Sequence, residues 1–83
     1  MAATIQLLAF GGAKRILGAP EMEFPLDAPC TAAELLSELC QRYPGLAGHQ
    51  RSIRLAVNGA YVGASDRVSP GDEVALIPPV AGG

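Results

Sequence analysis

Apolar and polar residues alternate along three stretches of the chain, and this spacing is typical of β-strands with one buried and one open face. The stretches are residues 4–10, 21–26 and 53–57. Pro25 has no amide hydrogen to donate, so we expect the second strand at the edge of a sheet. The side chains predicted to face a core are Ile5, Leu7 and Ala9, then Met22, Phe24 and Leu26, then Ile53, Leu55 and Val57.

A helical spacing replaces the alternation in residues 32–43. Thr31 and Glu34 have the spacing of a capping box, in which each side chain accepts a hydrogen bond from the other residue's amide. Pro44 would remove a donor and clash with the preceding turn, so the helix is expected to end before it. The apolar stripe consists of Leu35, Leu36, Leu39 and Tyr43.

Glycine, proline and asparagine separate these segments. Gly11-Gly12 ends the first strand, and residues 11–20 are predicted to form a loop. Asn58-Gly59 predicts a tight hairpin turn into a short returning strand that begins with residues 60–62. A further turn over residues 69–72 leads into a last strand over residues 73–77, in which Val74 and Leu76 share one face.

The predicted order is strand, strand, helix, strand, short strand, strand. One helix can cover one face of one sheet, which predicts an α+β domain of two layers with a mixed sheet of four to five strands. The order resembles that of the ubiquitin-like β-grasp fold, in which the first and last strands pair in parallel. We predict a domain over residues 1–77 and an extended tail over residues 78–83, within a chain of 83 residues.

Composition and charge exclude several functions. Hydrophobic residues make up 49% of the chain and charged residues 17%, which is typical of a globular domain. The net charge is −2 and the basic residues are scattered, so a nucleic-acid partner is not expected. We find neither an apolar run long enough for a membrane span nor a signal peptide, and we therefore expect a cytoplasmic location.

The side chains offer little catalytic chemistry. Cys30 and Cys40 are separated by nine residues, a spacing that is typical neither of a metal site nor of a redox pair, so we interpret both as free thiols. His49 is predicted to lie in a loop with no partner acid or cysteine close in sequence. We expect no bound metal, no tightly bound cofactor and no independent enzymatic activity.

The C-terminal segment offers a different chemistry. Pro78-Pro79 favours an extended rod, and the tail from Pro78 to Gly83 can reach roughly 20 Å. Gly82 and Gly83 have no side chains, so this tip could pass through a narrow channel. A terminal carboxylate is ionised at neutral pH and a poor electrophile, but an acyl-adenylate made from it could accept sulfur. The alternative is a loose chain end without a function.

Three stretches together resemble one family. They are the opening strand ending at Phe10, the segment Val57-Asn58-Gly59, and residues 71–83, which read Gly-Asp-Glu-Val-Ala-Leu-Ile-Pro-Pro-Val-Ala-Gly-Gly. The chain resembles the ThiS/MoaD family of ubiquitin-like sulfur carriers, and in particular the branch that serves molybdopterin synthesis. The resemblance covers nearly the whole sequence, from Ile5 to Gly83.

The resemblance implies a cycle in which this chain is a cosubstrate. An adenylating enzyme related to ubiquitin activators would use ATP to activate Gly83, and a sulfur donor protein would convert it to a thiocarboxylate. The large subunit of molybdopterin synthase, which would supply the catalytic side chains, would then take that sulfur to build the dithiolene. The implied reacting residues are Gly82 and Gly83, and the implied partner-binding residues are Phe10, Tyr61, Ile77, Pro78, Pro79, Val80 and Ala81.

Other functions remain open from the sequence. A carrier of this fold could deliver sulfur to thiamine, cysteine or tRNA, although Pro78-Pro79 favours the molybdopterin branch. A ubiquitin-like modifier would instead form an isopeptide bond through Gly83, and a plain interaction module would not use its terminus. If the first and last strands are neighbours, their alternation further predicts that Phe10 and Ile77 lie close together on the open side of the sheet, with Tyr61 extending the patch.

Overall fold

Residues 3–77 form one sheet of five strands, a smaller sheet of two strands, two α-helices and a 3₁₀ helix. The structure is a computed structural model and describes residues 3–77. The strands are β1 (Thr4–Ala9), β2 (Glu21–Pro25), β3 (Cys30–Thr31), β4 (Arg54–Val57), β5 (Ala60–Tyr61), β6 (Arg67–Val68) and β7 (Glu73–Ile77). The helices are α1 (Gly11–Leu17), α2 (Ala32–Arg42) and a 3₁₀ helix (Pro44–His49).

The strand order of the large sheet is β2-β1-β7-β4-β5. Strands β1 and β7 pair in parallel at its centre, while the β1–β2, β4–β7 and β4–β5 pairs are antiparallel. The predicted mixed sheet, the parallel pairing of first and last strands and the edge position of the proline-containing strand are therefore confirmed. Strands β3 and β6 form the second sheet, and the pattern of apolar and polar residues did not predict either of them.

The core lies between the large sheet and α2. Every second side chain of the central strands is buried, and α2 contributes Leu35 and Leu39, each with no exposed surface. Removing such a side chain from water contributes about 1.5–3 kcal/mol, so the alternation read from the sequence also decides which face of the sheet α2 covers. The least exposed core side chains are Ile5, Leu7, Leu35, Leu39, Leu46, Val68, Val74 and Leu76.

The capping box at the start of α2 is present as predicted. The Thr31 hydroxyl accepts a hydrogen bond from the Glu34 amide at 3.1 Å, and a Glu34 carboxylate oxygen accepts one from the Thr31 amide at 2.8 Å. The helix ends at Arg42, before Pro44, where the 3₁₀ helix begins. That helix buries Leu46 completely, so this connection contributes to the core.

The predicted loop over residues 11–20 is wrong, because α1 occupies most of it. Ala13 and Leu17 lie four residues apart and both are buried in the core. Gly18 ends the helix in a left-handed conformation with φ of 83°, and its amide donates to the Lys14 carbonyl oxygen at 2.9 Å. Burial of these two side chains outweighs the poor helix propensity of Gly11 and Gly12.

The two predicted turns, one at Asn58-Gly59 and one over residues 69–72 before the last strand, are confirmed. Asn58 and Gly59 have φ values of 52° and 88°, as a two-residue hairpin with both central residues in the left-handed region requires. The Asp72 amide donates to the Ser69 carbonyl oxygen at 3.0 Å, and Gly71 has φ of 91°. The returning strand is shorter than predicted, because β5 ends at Tyr61.

Candidate functional site

One face of the large sheet is covered by α2 and the other is open. We call this uncovered face the open face. Its side chains are those that alternate with the core positions, and each is half-buried or exposed. The open face comprises Glu21 and Glu23 from β2, Thr4, Gln6 and Leu8 from β1, Glu73, Ala75 and Ile77 from β7, Arg54 and Ala56 from β4, and Tyr61 from β5.

An apolar row crosses the middle of the open face. The strand registers pair Leu8 with Ala75, Ala75 with Ala56, and Ala56 with Tyr61. Four strands therefore contribute one apolar side chain each at the same level, because residues opposite one another in paired strands project to the same face.

Phe10 and Ile77 lie beyond this row, where β1 and β7 end. Ala9 pairs with Leu76, and Phe10 keeps an extended backbone with φ of −126° and ψ of 152°, so the register places Phe10 beside Ile77. Phe10 is 52% exposed and Tyr61 is 64% exposed, and these are the large exposed hydrophobic residues of the part that the structure describes. The predicted placement of Phe10, Tyr61 and Ile77 on one open face is confirmed.

Arg54 completes this group, which we call the tail end of the open face: Phe10, Arg54, Tyr61 and Ile77. Arg54 pairs with Ile77 across the β4–β7 ladder, and its guanidinium carbon lies 5.3 Å from the centre of the Tyr61 ring. Arg54 lies between the predicted core positions Ile53 and Leu55, and this alternation indicates an outward-facing side chain. Its contact with Tyr61 could not be read from this alternation, because the contact depends on the β4–β5 register.

We call the opposite end of the sheet the turn end. Side-chain hydrogen bonds there connect two of the segments that carry the family resemblance, Val57-Asn58-Gly59 and the start of residues 71–83. The Asn58 amide group donates to a carboxylate oxygen of Asp72 at 3.1 Å, and the Asn58 side-chain oxygen accepts from the Glu73 amide at 3.0 Å. The other Asp72 oxygen accepts from the Ser69 amide at 2.8 Å. Asn58 and Asp72 therefore hold the hairpin turn against the start of β7.

Acidic residues occupy the open face toward β2 and the turn end. Gln6 donates to a Glu21 carboxylate oxygen at 3.1 Å, and the Thr4 hydroxyl donates to Glu23 at 3.3 Å. Glu73 pairs with Gln6 across the β1–β7 ladder. Strand β2 thus carries two exposed glutamates and a proline on a sheet edge, a composition that discourages pairing with another strand.

The described residues offer few reactive side chains. Cys30 and Cys40 are free thiols, and burial raises the pKa of both, with the nearby Glu34 and Glu38 raising that of Cys30 further. Within residues 3–77 no three histidine, cysteine or acidic side chains come together as a metal site would need. Over the same residues, no helix has the length and apolar character needed to cross a membrane.

The predicted reacting residues Gly82 and Gly83 lie outside the described residues, as do Pro78, Pro79, Val80 and Ala81. Their roles stay predictions, and so does the division of the chain into a domain over residues 1–77 and a tail. What the structure does establish is their attachment point: Ile77, the residue before the tail, lies at the tail end beside Arg54.

Solved structures resemble the fold over nearly all of the chain. A putative molybdopterin converting factor subunit 1 from Pyrococcus furiosus superimposes with a TM-score of 0.81 at 23% identity, covering 95% of this chain and all of that one. Subunit 1 in a complex of subunits 1 and 2 of the molybdopterin-converting factor from Helicobacter pylori gives a TM-score of 0.65 at 21% identity, covering 96% of this chain and 99% of that one. The protein is thus of the ubiquitin-like β-grasp class.

Sequence comparison identifies the family within this class. Residues 7–83 match the ThiS family. The human molybdopterin synthase sulfur carrier subunit is 34% identical over 82 residues, covering 95% of this chain and 93% of the relative. The chain belongs to the ThiS family.

Proposed function

We propose that this chain is the sulfur carrier subunit of a molybdopterin synthase. The observation that carries the proposal is the match to sulfur carrier subunits of that enzyme along nearly the whole length of both chains. The open face supports it, because exposed apolar residues cluster where the chain continues into Pro78-Pro79-Val80-Ala81-Gly82-Gly83.

The proposed chemistry takes place on the Gly83 carboxylate. An adenylating enzyme joins this carboxylate to the α-phosphate of ATP and releases pyrophosphate. A sulfur donor protein then supplies sulfur at the oxidation level of sulfide, which displaces AMP and leaves a thiocarboxylate. ATP is thus consumed by the activating enzyme, and this chain holds no cofactor tightly.

The thiocarboxylate sulfur bonds to the pterin precursor on the large subunit of the synthase, and water then cleaves the bond between this sulfur and the Gly83 acyl carbon, which returns Gly83 to a carboxylate. In this scheme the large subunit supplies the catalytic side chains, and this chain supplies Gly83 and a docking surface. Phe10, Tyr61 and Ile77 form that surface, and residues 78–82 lead the tip to the reacting atoms. A cytoplasmic location is part of the same proposal.

Intact-mass spectrometry tests the carrier chemistry directly. Incubation with the activating enzyme from the source organism, ATP and a sulfur donor is expected to replace one C-terminal oxygen by sulfur. Omitting ATP is the matched control and should leave the mass unchanged. If several activating enzymes from the organism all leave the chain unmodified, the carrier function is wrong; formation of an isopeptide bond to another protein would instead identify a modifier.

A second test changes only the tip. Deleting Gly83, or adding one residue after it, should abolish sulfur transfer, because either change misplaces the reacting carboxylate. Circular dichroism should remain that of the unmodified chain. A variant with an extra residue that stays untrimmed and keeps full transfer activity would contradict the mechanism.

A further inference from the structure

The open face carries a positive charge on one side of the apolar row and negative charges on the other side. Arg54 is exposed at the tail end, beside Ile77. Glu73 is exposed on the neighbouring strand, four residues before Ile77, and Glu23 lies two strands further toward the edge of the sheet. With a rise of about 3.4 Å per residue, Arg54 and Glu73 are roughly 14 Å apart along the strands.

This separation makes the two charges distinct features of the surface. It exceeds the Debye length of about 8–10 Å at physiological salt, so mobile ions screen the attraction between the two charges and each is presented separately to an approaching molecule. Arg54 is also held over the Tyr61 ring. A guanidinium that already rests on an aromatic ring loses less conformational freedom when a carboxylate binds it.

We propose that this polarity orients the chain on the protein that receives its tail. The partner's surface carries carboxylates beside the opening for residues 78–83, where they meet Arg54, and lysine or arginine side chains where they meet Glu23 and Glu73. The inference rests on the proposed function, because it takes the partner to be the one that accepts the tail. Complementary potentials steer encounter and reject the reversed orientation, which would bring like charges together.

The apolar row alone cannot supply this direction. Leu8, Ala75, Ala56 and Tyr61 lie at one level of the sheet, so contact with this row alone distinguishes poorly between a partner and the same partner turned about the normal to the face. Phe10 and Ile77 favour one orientation through apolar contact at the tail end. The charged residues above and below the row remove that ambiguity. Correct orientation matters because the tail leaves from one end only.

A second copy of this chain is the competing occupant of the open face. A two-fold axis through the apolar row would place Arg54 of one copy near Glu73 of the other. We favour the tail-receiving partner because a second copy would cover Phe10 and Tyr61, which the large subunit needs in the proposed function. The competing occupant therefore becomes an outcome of the test.

The test measures association rates of the full-length chain with the purified large subunit from the same organism. The variants are Arg54→Glu and Glu73→Lys, alone and combined. The matched controls are Arg67→Glu and Glu38→Lys, which make the same changes in net charge at exposed positions of β6 and α2, outside the open face. Each rate is measured at about 50 mM and about 500 mM salt, where screening differs strongly.

Each open-face reversal is expected to slow association roughly tenfold at low salt, and the loss should shrink to less than about threefold at high salt. Controls should stay within about twofold of the unmodified chain. The double variant decides most sharply, since it restores the net charge but inverts the polarity. If the polarity orients the chain, the double variant associates more slowly than either single variant. If only net charge matters, its association rate returns to that of the unmodified chain.

Several outcomes would overturn the inference. Open-face variants that behave like the controls, effects that do not depend on salt, or recovery in the double variant would each do so. A free chain that sediments as a dimer, which Arg54→Glu converts to a monomer, would assign the face to self-association. If the unmodified chain does not bind the large subunit at all, the proposed function fails first; binding with equal responses of variants and controls removes only this inference.

The same comparison can be made with variants that disturb folding less. Arg54→Gln and Glu73→Gln neutralise the charges without reversing them and are expected to give about half the effect on a logarithmic scale. Circular dichroism checks that each variant is folded. If the neutral variants associate as fast as the controls at low salt, the inference is wrong even where a reversal variant fails to fold.

Discussion

The tail end and the turn end of the same sheet are built in opposite ways. At the turn end, the polar groups of Asn58 and Asp72 are used within the chain, in hydrogen bonds that join two turns. At the tail end, Phe10 and Tyr61 leave more than half of their surface exposed. Both ends contain residues of the segments that resemble the family, yet the Asn58 and Asp72 side chains at the turn end stabilise the fold, whereas the apolar side chains at the tail end are available to a partner.

This difference shows that resemblance to a family does not by itself identify a binding site. The segment Val57-Asn58-Gly59 and the start of residues 71–83 are explained by local geometry, since positive φ angles and satisfied hydrogen bonds account for them. The exposed apolar group has no such internal explanation, because large exposed hydrophobic side chains are not required by the fold. Variants at the two ends should therefore separate stability from binding.

The largest effect on stability is expected at the turn end. Asp72→Ala removes the acceptor for the Ser69 amide, in a part-buried bond, and for the Asn58 side chain, in an exposed one. A hydrogen bond to a charged group contributes about 1.5–3 kcal/mol, and the exposed bond contributes less because water replaces it. We expect a loss of about 2 kcal/mol in the free energy of unfolding, measured by urea denaturation. Asp27→Ala, at an exposed position, is the control and should change it by less than about 0.5 kcal/mol.

The comparison also requires that Asp72→Ala leave binding intact. Affinity for the large subunit, measured in high salt to screen the lost charge, should stay within about threefold of the unmodified chain. A loss as large as that of a tail-end variant would mean that the two ends do not divide the roles as described.

Tail-end variants should show the reverse behaviour. Phe10→Ala or Ile77→Asp is expected to weaken binding to the large subunit at least tenfold, because burying Phe10 in a partner contributes roughly 1.5–3 kcal/mol. Calorimetry on the purified pair measures the affinity, and circular dichroism verifies folding. Unchanged affinity in both variants would place the binding surface elsewhere.

Two glycines, Gly71 in the turn before β7 and Gly12 in α1, offer a smaller and more exact contrast. Gly71 has φ of 91°, and nothing lies within 4 Å of an added Cβ atom, so Gly71→Ala should cost about 1 kcal/mol through backbone strain alone. Gly12 lies in α1 without positive φ and with the same free space, so Gly12→Ala should stabilise by about 0.5 kcal/mol. Thermal unfolding of both variants measures the pair; a shift of the same sign in both would contradict the assigned conformations.

The smallest effect concerns a third region, the start of α2, and depends on pH. Hydrogen bonds from Thr31 lower the pKa of Glu34, and the bond from the Thr31 backbone amide is the largest cause. A pKa depressed in the folded state contributes stability above the unfolded pKa and loses it as the pH falls through the folded pKa. Glu34→Gln should therefore lower the urea midpoint slightly near neutral pH and leave it unchanged well below the ordinary glutamate pKa.

The matched control for this measurement is Glu38→Gln, on an exposed turn of the same helix. It should leave the urea midpoint nearly unchanged at both pH values. An equal response of the two variants at neutral pH would mean that the capping box contributes nothing to stability.

The sequence was a good guide wherever a local rule decided the structure. The alternation in β1 and β7, the capping box and the turns at residues 58–59 and 69–72 all follow from side-chain period or from the backbone preferences of single residues. It failed for α1, where Gly11-Gly12 indicated a break. Seven residues cannot hold a helix alone, so Ala13 and Leu17 form one only because the core is there to bury them.

For the candidate site, the sequence alone determined which side chains of each strand avoid the core, and it predicted Phe10, Tyr61 and Ile77 together. Only the tertiary structure decided that Arg54 joins them, because its contact with Tyr61 depends on how β4 pairs with β5 and β7. Alternation is a property of one strand and can be read along the chain. Register is a property of two strands distant in sequence, and it is set by the burial and hydrogen bonding of the whole sheet.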